Sequence, residues 1–204
     1  QASLYKDSFV LERFEANGNV DNQIEHIKYM INNHYDLIIV SPKEQDSLVP
    51  VIEEAFNKSI PVIVLDRKLN SNKYTSFIGA NNIEIGRDAA NYIASKTLED
   101  VNILEIKGFD NSSPVLDRSK GFNQIVQNEK HLNLIYSTNQ INNDEVISVF
   151  KQSETTPIDY VFAFNDDLAY SVWKIAKELN LEKDIRFIGV DGLNVPNGGI
   201  DSVS

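Results

Sequence analysis

Short apolar runs of strand length recur along the chain, and segments with helical spacing separate them. The runs cover residues 9–15, 37–40, 61–65, 76–79, 101–106, 132–137, 160–164 and 185–190. Such runs predict strands that are buried on both faces of a sheet. Between them apolar side chains return every three or four positions, as at Ile24, Ile27 and Ile31, which predicts amphipathic helices. The alternation predicts an α/β fold with parallel sheets covered by helices.

The sequence also marks a helix start and a division of the chain. We expect Ser113 to cap a helix whose first residue is Pro114, because proline needs no amide hydrogen there, and the helix to run to about residue 128. No long Pro/Gly linker separates domains, so the boundary is inferred from strand order. It places a first lobe at residues 1–79 and a second at residues 80–204.

Composition narrows the classes of partner. The chain has 204 residues, of which 42% are hydrophobic, enough to bury a core as one domain or two small lobes. Its 19 basic and 30 acidic residues give a formal net charge of -11, so we expect neither nucleic acid nor direct membrane contact. No apolar run approaches the roughly 20 residues of a membrane-spanning helix. With no cysteine, disulfides and thiolate chemistry are excluded.

The common signatures of catalysis and cofactor binding are absent. No phosphate-binding GxxxxGK[ST] or GxGxxG loop follows a predicted strand, and no GxSxG nucleophile motif occurs. His26, His34 and His131 are scattered and lack the spacing of metal ligands. We therefore expect no catalytic residue, no metal and no cofactor.

Polar side chains follow three of the predicted strands and the predicted helix start. They are Asp66 and Arg67 after residues 61–65, Asn165 and Asp166 after residues 160–164, Asp191 after residues 185–190, and Arg118 in the first turns of the helix. Open α/β sheets bind ligands beyond the carboxyl ends of their strands. Carboxylate, amide and guanidinium groups can each form paired hydrogen bonds with vicinal sugar hydroxyls.

Each of these residues also has a purely structural explanation. The alternatives are a loop ion pair for Asp66 with Arg67, a helix cap for Asn165 or Asp166, an exposed helical position for Arg118, and turn formation for Asp191 before Gly192. Because all of them fall where strands end or a helix begins, a binding site is the favoured interpretation.

Five motifs together resemble one family. They are PVIVLDR at 61–67, SFIGANN at 76–82, DRSKGF at 117–122, YVFAFNDDLA at 160–169 and FIGVDG at 187–192. Their order and spacing resemble the ribose-binding proteins and LacI-type effector domains of the periplasmic-binding-protein type I family. The resemblance implies two Rossmann-like lobes that close on a sugar, with SFIGA as a hinge crossing. It implies sugar contacts from Asp66 and Arg67 in the first lobe and from Arg118, Asn165 and Asp191 in the second.

Further segments resemble the extracytoplasmic sensor domains of hybrid two-component systems of gut Bacteroidetes. These segments are QASLYKD, NVDNQIEHIKYMI, DLIIVSPKE and DGLNVPNGGI. The resemblance implies a periplasmic sensor domain that binds a small neutral monosaccharide or related carbohydrate and signals to a histidine kinase. A soluble binding protein of an ABC transporter and a cytoplasmic LacI-type regulator remain alternatives, and a homodimer is compatible with all three.

The chain departs from the family pattern at its ends and in the second lobe. The resemblance implies that the family's opening strand and helix precede residue 1, which leaves the first lobe incomplete, and that further strands follow residue 204. Relatives often carry an aromatic side chain for sugar stacking near the position of residues 140–142. No aromatic residue stands there in this sequence.

Overall fold

The computed structural model describes residues 8–108, 112–138, 143–152 and 156–193. Backbone contacts divide the chain into two compact units, Gln1–Ala80 and Asn81–Ser204. The division falls one residue beyond the boundary inferred from strand order. Within the described residues, each unit has its own parallel sheet.

Helices and strands alternate as the sequence pattern predicts, except that no helix lies between the second and third of the described strands. The first unit contains α1 (Val20–Asn32), β1 (Ile38–Val40), α2 (Val49–Asn57), β2 (Val62–Leu65) and β3 (Ser76–Ile78). The second unit contains α3 (Asn82–Lys96), β4 (Val101–Ile106), α4 (Ser113–Val126), β5 (Leu132–Thr138), α5 (Asn143–Gln152), β6 (Tyr160–Ala163), α6 (Asp166–Glu178) and β7 (Arg186–Ile188). Seven of the predicted strands are confirmed to within two residues at either end, and the α/β class with parallel sheets is confirmed.

The strand predicted at residues 9–15 is wrong. This segment has no regular secondary structure, and none of the described strands pairs with it. Phe9, Val10 and Leu11 remain exposed. An apolar run becomes a strand only when a neighbouring strand forms hydrogen bonds with its backbone N–H and C=O groups. Within the described residues, this run has no such neighbour.

Side-chain contacts hold the same segment to α1. The ring of Phe14 lies 5.3 Å from that of His26 and 5.8 Å from that of Tyr29, measured between centroids. The Tyr35 hydroxyl donates a hydrogen bond to the carboxylate of Glu12. This bond raises the pKa of Tyr35 to about 12, because the neighbouring carboxylate disfavours the phenolate.

Helix α4 begins one residue earlier than predicted. Its N-cap is Ser112, not Ser113, and no side-chain hydrogen bond caps this end. Pro114 is tolerated in the first turn because amide hydrogens there have no partner within the helix. The helix ends at Val126, two residues before the predicted end.

One face of the first sheet packs against helices and the other is exposed. Ile38, Val40 and Val64 are buried in a core that includes side chains of α1 and α2. On the opposite face, Ile39 is 49% exposed and Ile78 is 58% exposed. Parallel sheets are normally covered on both faces, so apolar surface is left in solvent on this side.

The second sheet is covered on both faces, with strand order β5-β4-β6-β7. Leu104 and Ile106 of β4 join a core with side chains of α5 and α6. Ile103, on the other face of the same strand, joins a core that includes Phe122 of α4 and Ile93 of α3. Strand β4 is therefore the buried centre of this unit.

Helices α3 and α4 approach each other through two glycines. A Cβ atom on Gly86 would overlap the carbonyl oxygen of Arg118, and one on Gly121 would overlap the carbonyl oxygen of Ile83. Each helix thus presents a glycine to the backbone of the other. The closest approach of the pair falls beside Arg118, so this packing fixes the position of a predicted site residue.

We expect Gly86→Ala or Gly121→Ala to lower the free energy of unfolding by about 1–3 kcal/mol, because the added methyl group must push the helices apart. Lys120→Ala, at an exposed position beside Gly121, is the matched control and should change it by less than about 0.5 kcal/mol. Urea denaturation of the three variants and the parent measures the difference. Equal midpoints for Gly121→Ala and Lys120→Ala would contradict the close packing.

We also expect backbone amides to exchange with solvent faster in residues 1–79 than in residues 80–204. The first sheet leaves one apolar face in water, and each Å² of apolar surface that stays exposed forgoes about 25 cal/mol of stabilisation. Hydrogen–deuterium exchange followed by mass spectrometry compares the two parts in one sample. Similar protection in both would argue against the weaker first unit.

Candidate functional site

In the first unit, Asp66 and Arg67 directly follow the central strand β2. The amide of Asp66 donates to the carbonyl oxygen of Ile78 at 2.8 Å, which joins the end of β2 to the end of β3. Asp66 has a φ of 60°, a left-handed conformation that aspartate tolerates better than most residues. Residues held in uncommon backbone conformations cluster at functional sites, so this geometry is compatible with a binding role.

The contacts of Arg67 include a backbone carbonyl and its neighbour Asp66. Its Nη1 donates to the carbonyl oxygen of Lys43 at 3.3 Å, while its Nε lies 4.0 Å from Oδ2 of Asp66. The loop ion pair considered from sequence is therefore present but long. The Asp66 side chain is 68% exposed and that of Arg67 is 27% exposed. Both are accessible at the carboxyl edge of the first sheet.

The second unit has a topological switch point at its central strand. After β4 the chain passes to β5 on one side, and then crosses to β6 on the other. Loops on the two sides of such a point diverge and leave a crevice beyond the strand ends, where α/β proteins bind ligands. In this sheet the switch point lies between β4 and β6.

Arg118 lies in the second turn of α4 and is half-buried. Its Nε donates to Oδ1 of Asn82 at 2.8 Å, and its Nη1 donates to the carbonyl oxygen of Phe164. Arg118 is therefore not the exposed helical arginine of the alternative interpretation. The guanidinium joins the start of α3 to the end of β6 and is held beside the predicted site residue Asn165.

Asn165 caps α6, as the alternative interpretation anticipated. Its Oδ1 accepts from the amide of Leu168 at 2.8 Å. A cap uses only the oxygen, and within the described residues the side-chain amide nitrogen of Asn165 has no acceptor. That group can donate two hydrogen bonds. Capping through the oxygen therefore does not exclude a binding role for the amide nitrogen.

Asp191 lies in the loop after β7, and its side chain is exposed. Its φ is 102°, and that of the following Gly192 is 62°. The loop continues to Leu193, whose amide donates to Oδ2 of Asp166 at 2.6 Å. The structure thus brings the loop of Asp191 to the start of α6, next to Asn165.

Two polar side chains at this edge are absent from the sequence prediction. Asn82 is 3% exposed and accepts the bond from Arg118. Glu105 is fully buried in β4, where its Oε2 accepts from the Ser137 hydroxyl at 2.6 Å and lies 3.5 Å from Nζ of Lys107. A carboxylate between Leu104 and Ile106 in a mostly apolar strand was a signal for Glu105. Asn82 stands at the end of the SFIGANN motif, but no local pattern shows its distant partner.

The described residues hold neither a metal-binding cluster nor a membrane-spanning helix. None of their histidine, aspartate and glutamate side chains form a group of three or more that could hold a metal ion. Nor do their helices include one that combines the length and apolarity needed to cross a bilayer. Residues 140–142, where the family resemblance places an aromatic contact, lie outside the described residues.

Comparison with known proteins identifies the family. Residues 1–196 match the model of the periplasmic binding protein domain, so the chain belongs to this family and has its fold. The galactofuranose-binding protein YtfQ of Escherichia coli K12 is 26% identical and aligns with 92% of this chain and 63% of its own length. The ribose import binding protein RbsB of the same organism is 25% identical and aligns with 97% of this chain and 67% of its own length.

Solved structures agree on the fold. The fructose-binding periplasmic domain of the hybrid two-component system BT1754 has a TM-score of 0.89 and 34% identity, and the match covers 98% of this chain and 69% of that one. The binding protein of an arabinose ABC transporter from Shewanella sp. ANA-3, bound to L-arabinofuranose, has a TM-score of 0.85 and 26% identity. That match covers 94% of this chain and 67% of the transporter protein. This chain spans about two thirds of the length of these relatives.

We expect Asn82→Ala to remove the acceptor of the Arg118 Nε–H and to leave the bond from Nη1 to Phe164 in place. Loss of the acceptor should speed exchange of the Arg118 Nε–H proton with water by about tenfold, since a lost hydrogen bond of about 1.4 kcal/mol corresponds to that factor. Asn81→Ala is the control, because Asn81 caps α3 through the amide of Glu84 and its cap contacts do not include Arg118. Proton exchange of arginine side chains, followed by NMR, reports on the bond. An unchanged Nε–H signal in Asn82→Ala would contradict it.

Proposed function

We propose that this chain is the ligand-binding part of an extracytoplasmic sugar sensor and that it catalyses no reaction. The observation that carries the proposal is the anchoring of Arg118 at the switch point of the second sheet. Its guanidinium is held between Asn82 and the carbonyl oxygen of Phe164, beside Asn165. A rigid donor in a crevice beyond the strand ends suits recognition of a small polar ligand.

The chemistry of the second unit favours a neutral carbohydrate. Arg118 and the amide nitrogen of Asn165 are donors, and the carboxylate of Asp191 is an acceptor. The hydroxyl groups of a sugar can therefore both accept and donate hydrogen bonds here. An anionic ligand would be repelled by Asp191 and, if the first unit contributes as the family resemblance implies, by Asp66. The contribution of Asp66 and Arg67 to the same ligand stays a prediction.

A role in sensing is favoured over a role in transport because this chain has a higher sequence identity to a sensor domain than to the transport proteins. The chain is 34% identical to the fructose-binding domain of a hybrid two-component system, against 25–26% for the transport proteins compared above. A sensor must bind its ligand with different affinity in two conformations, because only that difference can drive a signal. We propose a periplasmic location on the same grounds.

A transport binding protein is the second candidate. It is favoured by the similarity to YtfQ and RbsB along nearly the whole chain, and it would use the same site. The two differ in what the rest of the polypeptide carries. Sequencing the gene on both sides of this segment distinguishes them, since a sensor requires a membrane-spanning segment and a kinase in the same polypeptide. Self-association as a homodimer stays a prediction.

We expect the full-length protein to bind a neutral monosaccharide, and Arg118→Ala and Asp191→Ala each to weaken that binding at least about tenfold. Loss of one hydrogen bond to a charged group typically costs on the order of 1.5–3 kcal/mol. A thermal-shift screen should include fructose, ribose, arabinose and galactose beside gluconate and ribose 5-phosphate. Calorimetry then gives the affinity of each variant for the sugar that the screen identifies.

Lys120→Ala serves as the control for Arg118→Ala, because it lies on the same helix at an exposed position. All three variants should keep the folded state, since Lys120 and Asp191 are exposed and Arg118 makes polar contacts outside the apolar core. Parent-like affinity in both Arg118→Ala and Asp191→Ala would place the site elsewhere. Stabilisation by the anionic compounds alone would overturn the choice of a neutral ligand.

A further inference from the structure

We infer that Asp166 is a positioning residue that shapes the loop displaying Asp191. The inference rests on the proposed function as far as Asp191 is taken to bind sugar. Asp166 is the first residue of α6 and is only 7% exposed. A buried carboxylate normally has an ion pair or hydrogen bonds that compensate its charge. The groups that contact the Asp166 carboxylate therefore indicate its role.

The two carboxylate oxygens contact opposite ends of one short loop. Oδ2 accepts from the amide of Leu193 at 2.6 Å. Oδ1 occupies the space that a Cβ atom would need at Gly189. Residues 189–193 therefore curve around the carboxylate of Asp166, and Asp191 stands midway between the two contacts.

The loop needs such support because of its backbone conformation. Asp191 and Gly192 both have positive φ angles, of 102° and 62°. Asp191 is not a glycine, and a side chain in this region is strained unless surrounding contacts determine the conformation. The amide of Leu193 donates to a charged acceptor, and such hydrogen bonds are stronger than those between neutral groups. This bond closes the loop directly after Asp191 and Gly192.

Asp166 could instead act only as an acidic residue at a helix start, where negative charge is favourable. The next residue provides the comparison. Asp167 lies in the same first turn of α6 but is exposed. Any effect through the helix dipole should be shared by the two aspartates, whereas an effect through the loop should belong to Asp166 alone.

Gly189 offers a second way to disturb the same contact. Gly189→Ala would place a methyl group against the Asp166 carboxylate and leave that carboxylate in the chain. The new methyl group would also approach the Ala169 Cβ, although less closely than the carboxylate oxygen. A change seen both in Asp166→Ala and in Gly189→Ala therefore points to the packing of the loop against the start of α6. It cannot come only from the loss of a charge.

The first experiment needs no ligand and follows the backbone amide of Leu193 by NMR in the full-length protein. We expect its exchange with water to be at least about tenfold faster in Asp166→Ala and in Gly189→Ala, and less changed in Asp166→Asn, which keeps an acceptor oxygen. Asp167→Ala should leave it as in the parent. Parent-like exchange in both Asp166→Ala and Gly189→Ala overturns the inference.

The second experiment uses calorimetry with the sugar identified by the screen. Asp166→Ala should weaken binding by about tenfold, and Asp167→Ala should not. In an Asp191→Ala background, Asp166→Ala should cause no further loss, because the loop then no longer carries the group that it positions. Full additivity of the two losses would show that Asp166 does not act through Asp191.

The two experiments fail in distinguishable ways. If the full-length parent binds none of the sugars, the proposed function is wrong, while exchange at Leu193 still decides whether Asp166 shapes the loop. If Asp166→Ala does not fold, Gly189→Ala and Asp166→Asn give both readouts. In that case Gly189→Ala decides, because Asp166→Asn keeps an acceptor oxygen and is expected to change little. Slower or unchanged exchange at Leu193 in Gly189→Ala would then overturn the inference.

Discussion

The site of the second unit depends on the burial of strand β4 on both of its faces. Leu104 and Ile106 enter one apolar core and Ile103 enters the other, so helices must cover the sheet from both sides. With β4 at the centre, the chain continues to β5 on one edge and to β6 on the other. This arrangement places a switch point between β4 and β6, where α/β sheets bind ligands because loops from the two sides diverge, and Arg118 bonds the end of β6 there.

Helix packing then fixes the most constrained group at that crevice. Gly86 and Gly121 let α3 and α4 approach to backbone contact, and the same contact region carries Arg118. The guanidinium bonds Asn82 at the start of α3 and the carbonyl oxygen of Phe164 at the end of β6. Its position thus follows from three elements at once, which lowers the entropic cost of ordering a long side chain around a ligand.

The two units differ in how completely their sheets are covered. The second sheet is buried on both faces, whereas Ile39 and Ile78 of the first sheet face solvent. The chain also spans only about two thirds of the length of its relatives. Asp66 and Arg67 stand at the carboxyl edge of this less covered sheet, where the Asp66 amide ties β2 to β3. Their backbone directly follows β2, and the Asp66 side chain is largely exposed while that of Arg67 is partly buried.

The sequence by itself determined the class of fold, seven strands with their order along the chain, and the strand ends at which polar residues gather. These features follow from local apolar periodicity, which each segment expresses without reference to distant residues. The same reasoning failed at residues 9–15, because a strand also requires a partner for its backbone. It also placed the start of α4 at Pro114, where proline is equally acceptable one position further into the first turn.

Only the tertiary structure decided how the site residues are held. Asn82 and Arg118 are 36 residues apart in the chain, and Asp166 and Leu193 are 27 apart, so no spacing rule connects them. Whether Asn165 is a cap or a binding residue was likewise open in the sequence, and the geometry allows both, since the cap uses one end of the amide. Such contacts depend on helix approach and loop curvature, which arise only when the whole core is packed.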